Sequence, residues 1–294
     1  MKANLSSLLI EQMPHFSKGQ KRIAEYILAH DDQAAYMTAL KLSETVGVSE
    51  STVVRFAAEL GFSGYPQMQK AIQEQIRSKL TTIERIDLAR TRMRDDEVLP
   101  RIMEYDMANL RQTMEELPRN VFAKAVDTIC GANRVYIFGA GSCRPLASFL
   151  AYYFKFLLPD ARLMFSTGES EIMEEMIRID ENDVLIDFSF PRYSRRAVKV
   201  MELAHAHGAK TIAITDSVLS PIAQQATFSL LTHSDMAMIV DSLVAPLSLI
   251  NALIVAVSLK RQAENLPTLT EMEQLLTNYA VYHQPTADKE DETV

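Results

Sequence analysis

The chain has 294 residues, a formal net charge of −8, 48% hydrophobic residues and 23% charged ones. This is the balance of a globular protein with a substantial core, long enough for one large or two modest domains. The acidity excludes a protein that coats nucleic acid with its whole surface but leaves room for one small DNA-reading module, and two cysteines, Cys130 and Cys143, exclude a disulfide framework or a cysteine-rich zinc site.

The opening MKANLSSLLIEQ has too short an apolar stretch before Glu11 for a secretory signal, so a cytoplasmic location is expected. Ser17 and Gln20 form a capping box that predicts a helix over KGQKRIAEYILAH, with Ile23, Tyr26 and Ile27 on one face. The following TALKLSETVGVSESTVVRFAAELGF predicts a helix over 39–46, a turn at 47–49 and a second helix from Glu50. Gly47 can take the positive φ of a tight turn, and Ser49 can cap the second helix. Leu42, Val46, Val48, Val53 and Phe56 fall where the two helices meet, which leaves Ser51, Thr52 and Arg55 pointing outward.

A helix-turn-helix has this arrangement, and its second helix enters the major groove. Arginine can bond guanine bidentately, and small hydroxyls can touch phosphates or bases. Ser49, Ser51, Thr52 and Arg55 are therefore the candidate contacts to operator DNA; the alternative is a helical hairpin that binds nothing. Residues 1–80 hold nine Lys/Arg and eight Asp/Glu, a net charge of about +1. Phosphate attraction per subunit is then modest, and useful affinity calls for a dimer on two half-sites.

The runs FSKGQKRIAEYIL and LSETVGVSESTVVRFAAELGFSGYPQMQKAI resemble the N-terminal domain of the RpiR family of bacterial transcriptional regulators. The resemblance implies a second domain of the SIS (sugar isomerase) type, which in that family usually binds a phosphosugar effector and dimerises. The expected organisation is a helix-turn-helix domain over 1–78, a helical linker over 79–120, a SIS ligand-binding domain over 121–264, and a C-terminal helix with an acidic tail over 265–294.

The linker is charged and helix-favouring. From 121 onward, RVYIF, ARLMF, DVLIDF, KTIAIT and TFSLLT alternate with helical patterns, which signals βαβ units and a parallel sheet covered by helices. The predicted fold is thus an all-α helix-turn-helix domain joined to an α/β SIS domain whose parallel sheet is flanked by helices. Residues 242–259 carry no charge over 18 positions, the lower range for a membrane span. Pro246, Asn251, three serines and the isolation of the run favour a buried or subunit-interface helix, with no membrane partner.

The first strand runs into FGAGSCRPL, a glycine-pinched turn expected to open a helix over 142–157. Such a turn presents free N–H groups and the helix dipole to an anion. A dinucleotide fingerprint requires a third glycine where Arg144 stands, and an acidic residue at the end of the second strand, where Ser166 and Thr167 stand. A purely structural turn is a further alternative. The resemblance implies a phosphate loop instead, with departures: the family usually has serine at the position of Cys143, with Ser142 here one place earlier. The family's second loop resembles S-x-S-G-x-T, and the chain has Ser189-Phe190-Pro191-Arg192-Tyr193-Ser194. The first and last hydroxyls survive, while the middle serine and the glycine have become Pro191 and Arg192.

A guanidinium can replace lost donors, to carboxylate as readily as to phosphate. The ligand-binding candidates are Gly139, Gly141, Ser142, Cys143, Arg144, Ser189, Arg192 and Ser194, with Glu169 to reach a ligand hydroxyl. The expected ligand is a small anionic metabolite, a sugar phosphate or a sugar acid. Cys143 is either a nucleophile at a helix N-terminus or a small lining thiol. His233, after the last strand, is a further candidate to face the pocket. His205 and His207 sit two apart near a helix end and do not share a face, so no metal is expected, nor any cofactor. No base for enol chemistry is fixed by the pattern. A non-enzymatic, effector-sensing regulator acting as a homo-oligomer, dimer or tetramer, leads over a sugar-phosphate isomerase and over a non-catalytic SIS interaction module. Helix 241–263 is the candidate contributor to its interface.

Overall fold

The computed structural model describes residues 5–79, 83, 95–165, 168–234 and 241–279. The N-terminal head consists of α1 (Leu5–Gln12), α2 (Lys18–Ala29), α3 (Asp31–Ala34), α4 (Ala39–Val46), α5 (Glu50–Glu59) and α6 (Tyr65–Lys79). The capping box opens α2: the Ser17 N–H donates to Gln20 Oε1 at 2.8 Å and the Gln20 N–H donates to Ser17 Oγ at 3.5 Å. Ile23 and Ile27 are buried as expected, with Tyr26 only half-buried. Phe16 meets Phe56 edge to face with ring centroids 5.1 Å apart, joining the approach to α2 to α5. One apolar core serves all six helices.

After α7 (Val98–Glu116) and α8 (Arg119–Cys130), the chain alternates: β1 (Val135–Gly139), α9 (Arg144–Leu157), β2 (Ala161–Leu163), α10 (Glu169–Glu175), β3 (Val184–Phe188), α11 (Arg195–Ala206), β4 (Lys210–Thr215) and β5 (Phe228–Leu231). The last two helices are α12 (Val244–Lys260) and α13 (Gln262–Asn278). All strands pair in parallel in the order β2-β1-β3-β4-β5. Each residue of β1 and β3 is buried, because helices cover both faces, and this is why these strands read as continuous apolar runs instead of alternating ones. Val135, Ile137, Val184, Ile186 and Phe188 pack with α8, α9 and α12; Tyr136, Phe138, Leu185 and Ala213 pack with α10 and α11.

The uncharged run is α12, which packs among α7, α8 and α9 and buries Leu249, Ile250, Leu253 and Val257. Among the described residues no single helix is long and apolar enough to cross a membrane, and α12 meets α13 at 104°. Helix α7 inverts the usual pattern. It buries Asn109 and Thr113 toward α12, and Asp106 accepts a 2.6 Å hydrogen bond from Ser242 just ahead of α12. Its apolar residues Leu99, Met103, Met107 and Met114 face outward, Met114 being 77% exposed.

Candidate functional site

In the head, Gly47 ends α4 in the left-handed conformation, φ 69°, so that the chain reverses within three residues. Ser49 then caps α5, its Oγ accepting from the Thr52 N–H at 3.2 Å. Leu42, Val46, Val53 and Phe56 are buried between the helices, and Val48 is half-buried beside them. Ser51 and Arg55 are exposed and Thr52 half-buried. The Arg55 guanidinium folds back along the helix and donates from Nε to Ser51 O at 3.2 Å, and the Ser49 hydroxyl lies 2.9 Å from that of Ser51 and 2.7 Å from that of Thr52. The four candidate DNA contacts thus form one hydrogen-bonded cluster on the first two turns of α5. The structure adds Val54, 42% exposed on the same helix; a methyl-bearing side chain there suits the thymine methyl of the major groove.

At the other site, β1 and β3 are neighbours and the chain leaves them toward opposite sides of the sheet. Their C-terminal ends therefore bound the crevice where doubly wound sheets bind ligands. From β1 come Gly139, Ala140 and a single 3-10 turn, Gly141–Cys143, before α9 proper opens at Arg144. The helix expected from 142 thus starts two residues later, with Cys143 at its N-cap. Gly139 is required by close packing: a Cβ there would stand 2.6 Å from Cys143 O and 3.1 Å from Ala147 Cβ. Gly141 has φ 58°. The Arg144 guanidinium lies over the Phe165 ring, 5.5 Å from its centroid.

Cys143 is buried, and desolvation pushes its thiol up to about 12 despite a backbone hydrogen bond from Phe190. It carries no thiolate at neutral pH, so the nucleophile alternative falls. What Cys143 does is join the two loops, because Phe190 belongs to the turn after β3.

In that turn the Ser189 Oγ accepts from the Ser194 N–H at 3.3 Å, and Ser194 caps α11 by accepting from the Arg196 N–H at 3.2 Å. Thr215, at the end of β4, donates to Ser189 O at 2.6 Å. Tyr193 donates to the Asp216 carboxylate at 3.1 Å. Between these anchors Arg192 takes φ 68°, and it is the single positive-φ residue other than glycine among the described residues. The arginine thus adopts the left-handed backbone that the family pattern assigns to glycine. Arg192, Arg195 and Arg196 are exposed. Glu169 begins α10, the helix that covers the α11 face of the sheet. Thr215 and Asp216 hold the turn from a distance in sequence, and no local pattern marked them.

His233 does not face the crevice. Its N–H donates to Thr113 Oγ1 at 2.8 Å, its Nε2 pairs with Glu116 at 2.8 Å, and its Nδ1 meets Lys70 Nζ of α6. It bridges the head to the sheet domain. His205 and His207 are exposed at the end of α11.

A helical head that presents a capped reading helix, joined to a doubly wound domain with an anion-type crevice at its switch point, defines a class: a helix-turn-helix protein with a SIS domain. Residues 3–79 match the family model described as "Helix-turn-helix domain, rpiR family", and residues 128–256 match that of the SIS domain. The HTH-type transcriptional regulators HexR of Escherichia coli and of Pseudomonas aeruginosa are 25% and 26% identical over 283 residues; each match covers 93% of this chain and 94% or 95% of the relative. Among solved structures, the sugar isomerase domain of an RpiR transcription factor from Sphaerobacter thermophilus is 25% identical, with a TM-score of 0.58 over 60% of this chain and 99% of that one. The Vibrio vulnificus NanR protein complexed with ManNAc-6P shares the fold at 19% identity, with a TM-score of 0.58 over 94% of this chain and 99% of that one. The chain belongs to the RpiR family and is a transcriptional regulator with helix-turn-helix and SIS domains.

Proposed function

We propose that the chain senses an anionic metabolite, a sugar phosphate or a sugar acid, in the crevice between the 139–144 and 189–194 loops, and that binding there changes its affinity for operator DNA. One observation carries this reading: a DNA-reading helix and a crevice rimmed by helix N-termini, glycine turns and arginines occur in one chain. The N–H groups of both turns, the hydroxyls of Ser142, Ser189 and Ser194, and the guanidiniums of Arg144 and Arg192 suit an anion. The fold is shared with a protein that is complexed with ManNAc-6P, which supports the phosphosugar branch of the proposal. The role is non-catalytic: the relatives are named as regulators, and the Cys143 thiol is held neutral by burial.

The acting species is a homodimer. A groove of about 780 Å³ between α9, α12 and α13, lined by Tyr152, Tyr153, Phe156, Val255 and Leu259, is the apolar surface that a second copy covers. Two heads then engage two half-sites.

Footprinting of the purified chain on the DNA flanking its own gene, with and without glucose 6-phosphate and gluconate, tests both halves. Protection that one anion shifts, by a species of twice the chain mass in light scattering, is the expected result. Absence of protection refutes the DNA role, and calorimetric silence from every anionic metabolite refutes the pocket.

A further inference from the structure

One residue of β3 has no part in the anion contacts described above. Asp187 has no accessible surface, and neither of its carboxyl oxygens has a hydrogen-bond partner. In the sheet it stands between Phe138 of β1 and Ala213 of β4. Strand alternation puts its side chain on the face of Leu185, among the apolar residues that pack under α10 and α11. The Tyr136 hydroxyl of the same layer is likewise without a hydrogen-bond partner. Desolvation holds the Asp187 carboxyl well above the usual carboxylate range, only partly offset by the Phe188 backbone N–H, and so favours its protonated form. Buried polar atoms in native proteins are almost always paired, and a pair of orphaned oxygens requires an explanation.

Its place supplies one. Asp187 lies two residues before Ser189, where the turn that ends in Ser194 begins. The carboxyl is close enough to the Cys143 thiol of the other loop for its ionised form to raise that thiol's pKa. Asp187 is thus the penultimate residue of β3, at the end where the second loop of the crevice departs. The loop that follows β3 contains left-handed Arg192, and strained backbone of this kind concentrates at segments that rearrange with function.

We infer that Asp187 is the floor of the effector site: when the Arg192 turn moves to receive the anion, the carboxyl takes up a hydroxyl or amino group of the same ligand. This rests on the anion-sensing reading and narrows it to a class. The ligand carries a polyhydroxylated or amino-bearing carbon skeleton on its anionic group, so the site discriminates against a bare anion. In its protonated form the carboxyl can both donate to and accept from a hydroxyl.

The test is calorimetry on the full chain and on Asp187→Ala and Asp187→Asn, with inorganic phosphate, glucose 6-phosphate, glucosamine 6-phosphate and gluconate as probes, each variant first checked for an intact melting transition. The wild type is expected to bind a polyhydroxylated probe more tightly than phosphate. The alanine variant should lose about tenfold in affinity for that probe, the yield of one well-made hydrogen bond, and keep phosphate affinity within about twofold. The asparagine variant, which still donates and accepts, should lose less. If both variants bind the probe as the wild type does, or lose phosphate and probe in equal measure, Asp187 does not touch the ligand. If the wild type binds none of the probes, the anion-sensing reading falls and this inference falls with it.

Discussion

Substituting glycine for Arg192 separates what the backbone of the second loop needs from what its side chain does. Arg192 holds φ 68°, a conformation that costs an L-residue about 1–2 kcal/mol relative to glycine. Glycine gives back about 0.5–1 kcal/mol through its freer unfolded chain, so Arg192→Gly should be neutral or stabilising by up to about 1.5 kcal/mol. For a domain of this size, that raises the melting temperature by at most about 3–6 °C. Ligand affinity moves the other way. Removing a charge-assisted bond to an anion should weaken binding by about ten- to a hundredfold. Differential scanning fluorimetry of the ligand-free chain and calorimetry with a sugar phosphate read the two quantities separately. A melting temperature that falls by several degrees would show that the side chain supports the turn, and an unchanged affinity would remove Arg192 from the site.

Four further outcomes follow from named contacts. Gly139→Ala places a methyl carbon 2.6 Å from Cys143 O; the first loop must shift, at a cost of about 1–3 kcal/mol, and both melting temperature and anion affinity should drop, whereas an unperturbed melt would contradict the packing. Arg55→Ala should reduce discrimination between the operator and scrambled DNA by about tenfold with ligand affinity intact; normal operator reading refutes its role. The folded-state pKa of Asp187 is raised by burial, so its favourable contribution is complete below the unfolded value near 4 and is lost as pH rises toward the folded value. The wild type should therefore lose stability relative to Asp187→Asn above about pH 4 at up to about 1.4 kcal/mol per pH unit, and parallel profiles from pH 4 to 8 would argue against it. His233→Ala should leave ligand affinity within about twofold and weaken the effect of ligand on DNA binding, which gel-shift titration with and without ligand measures.

The parts of this protein that could be read from its residues are those determined locally. Gly47, Ser49 and the spacing of Leu42, Val46, Val53 and Phe56 specify the two-helix turn within fifteen residues, and five apolar runs specify the strands because a doubly covered parallel sheet leaves them no polar side. The polar inner face of α7 was not legible: Asp106 and Thr113 look like solvent-facing residues until Ser242 and His233, more than a hundred positions away, supply their partners. The hold of Thr215 and Asp216 on the second loop depends on β4 lying beside β3, which no local pattern encodes. For the same reason Asp187, which looks like a surface aspartate by type, proved to be fully enclosed, and His233 faced the head instead of the crevice.

The bridge at His233 also sets a mechanical scale. Ser189 accepts from Thr215, the Thr215 carbonyl accepts from the Thr232 N–H at 2.8 Å, and the next residue grips Lys70. The sensing turn is therefore a few hydrogen-bonded steps from α6, a lever of 15 residues, or about 22 Å at 1.5 Å per residue. Tilting such a lever by about 5° carries one end about 2 Å relative to the other. Two heads that must match grooves about 34 Å apart register a displacement of that size as a change in fit, so an adjustment within one loop is enough to decide whether both heads can seat together.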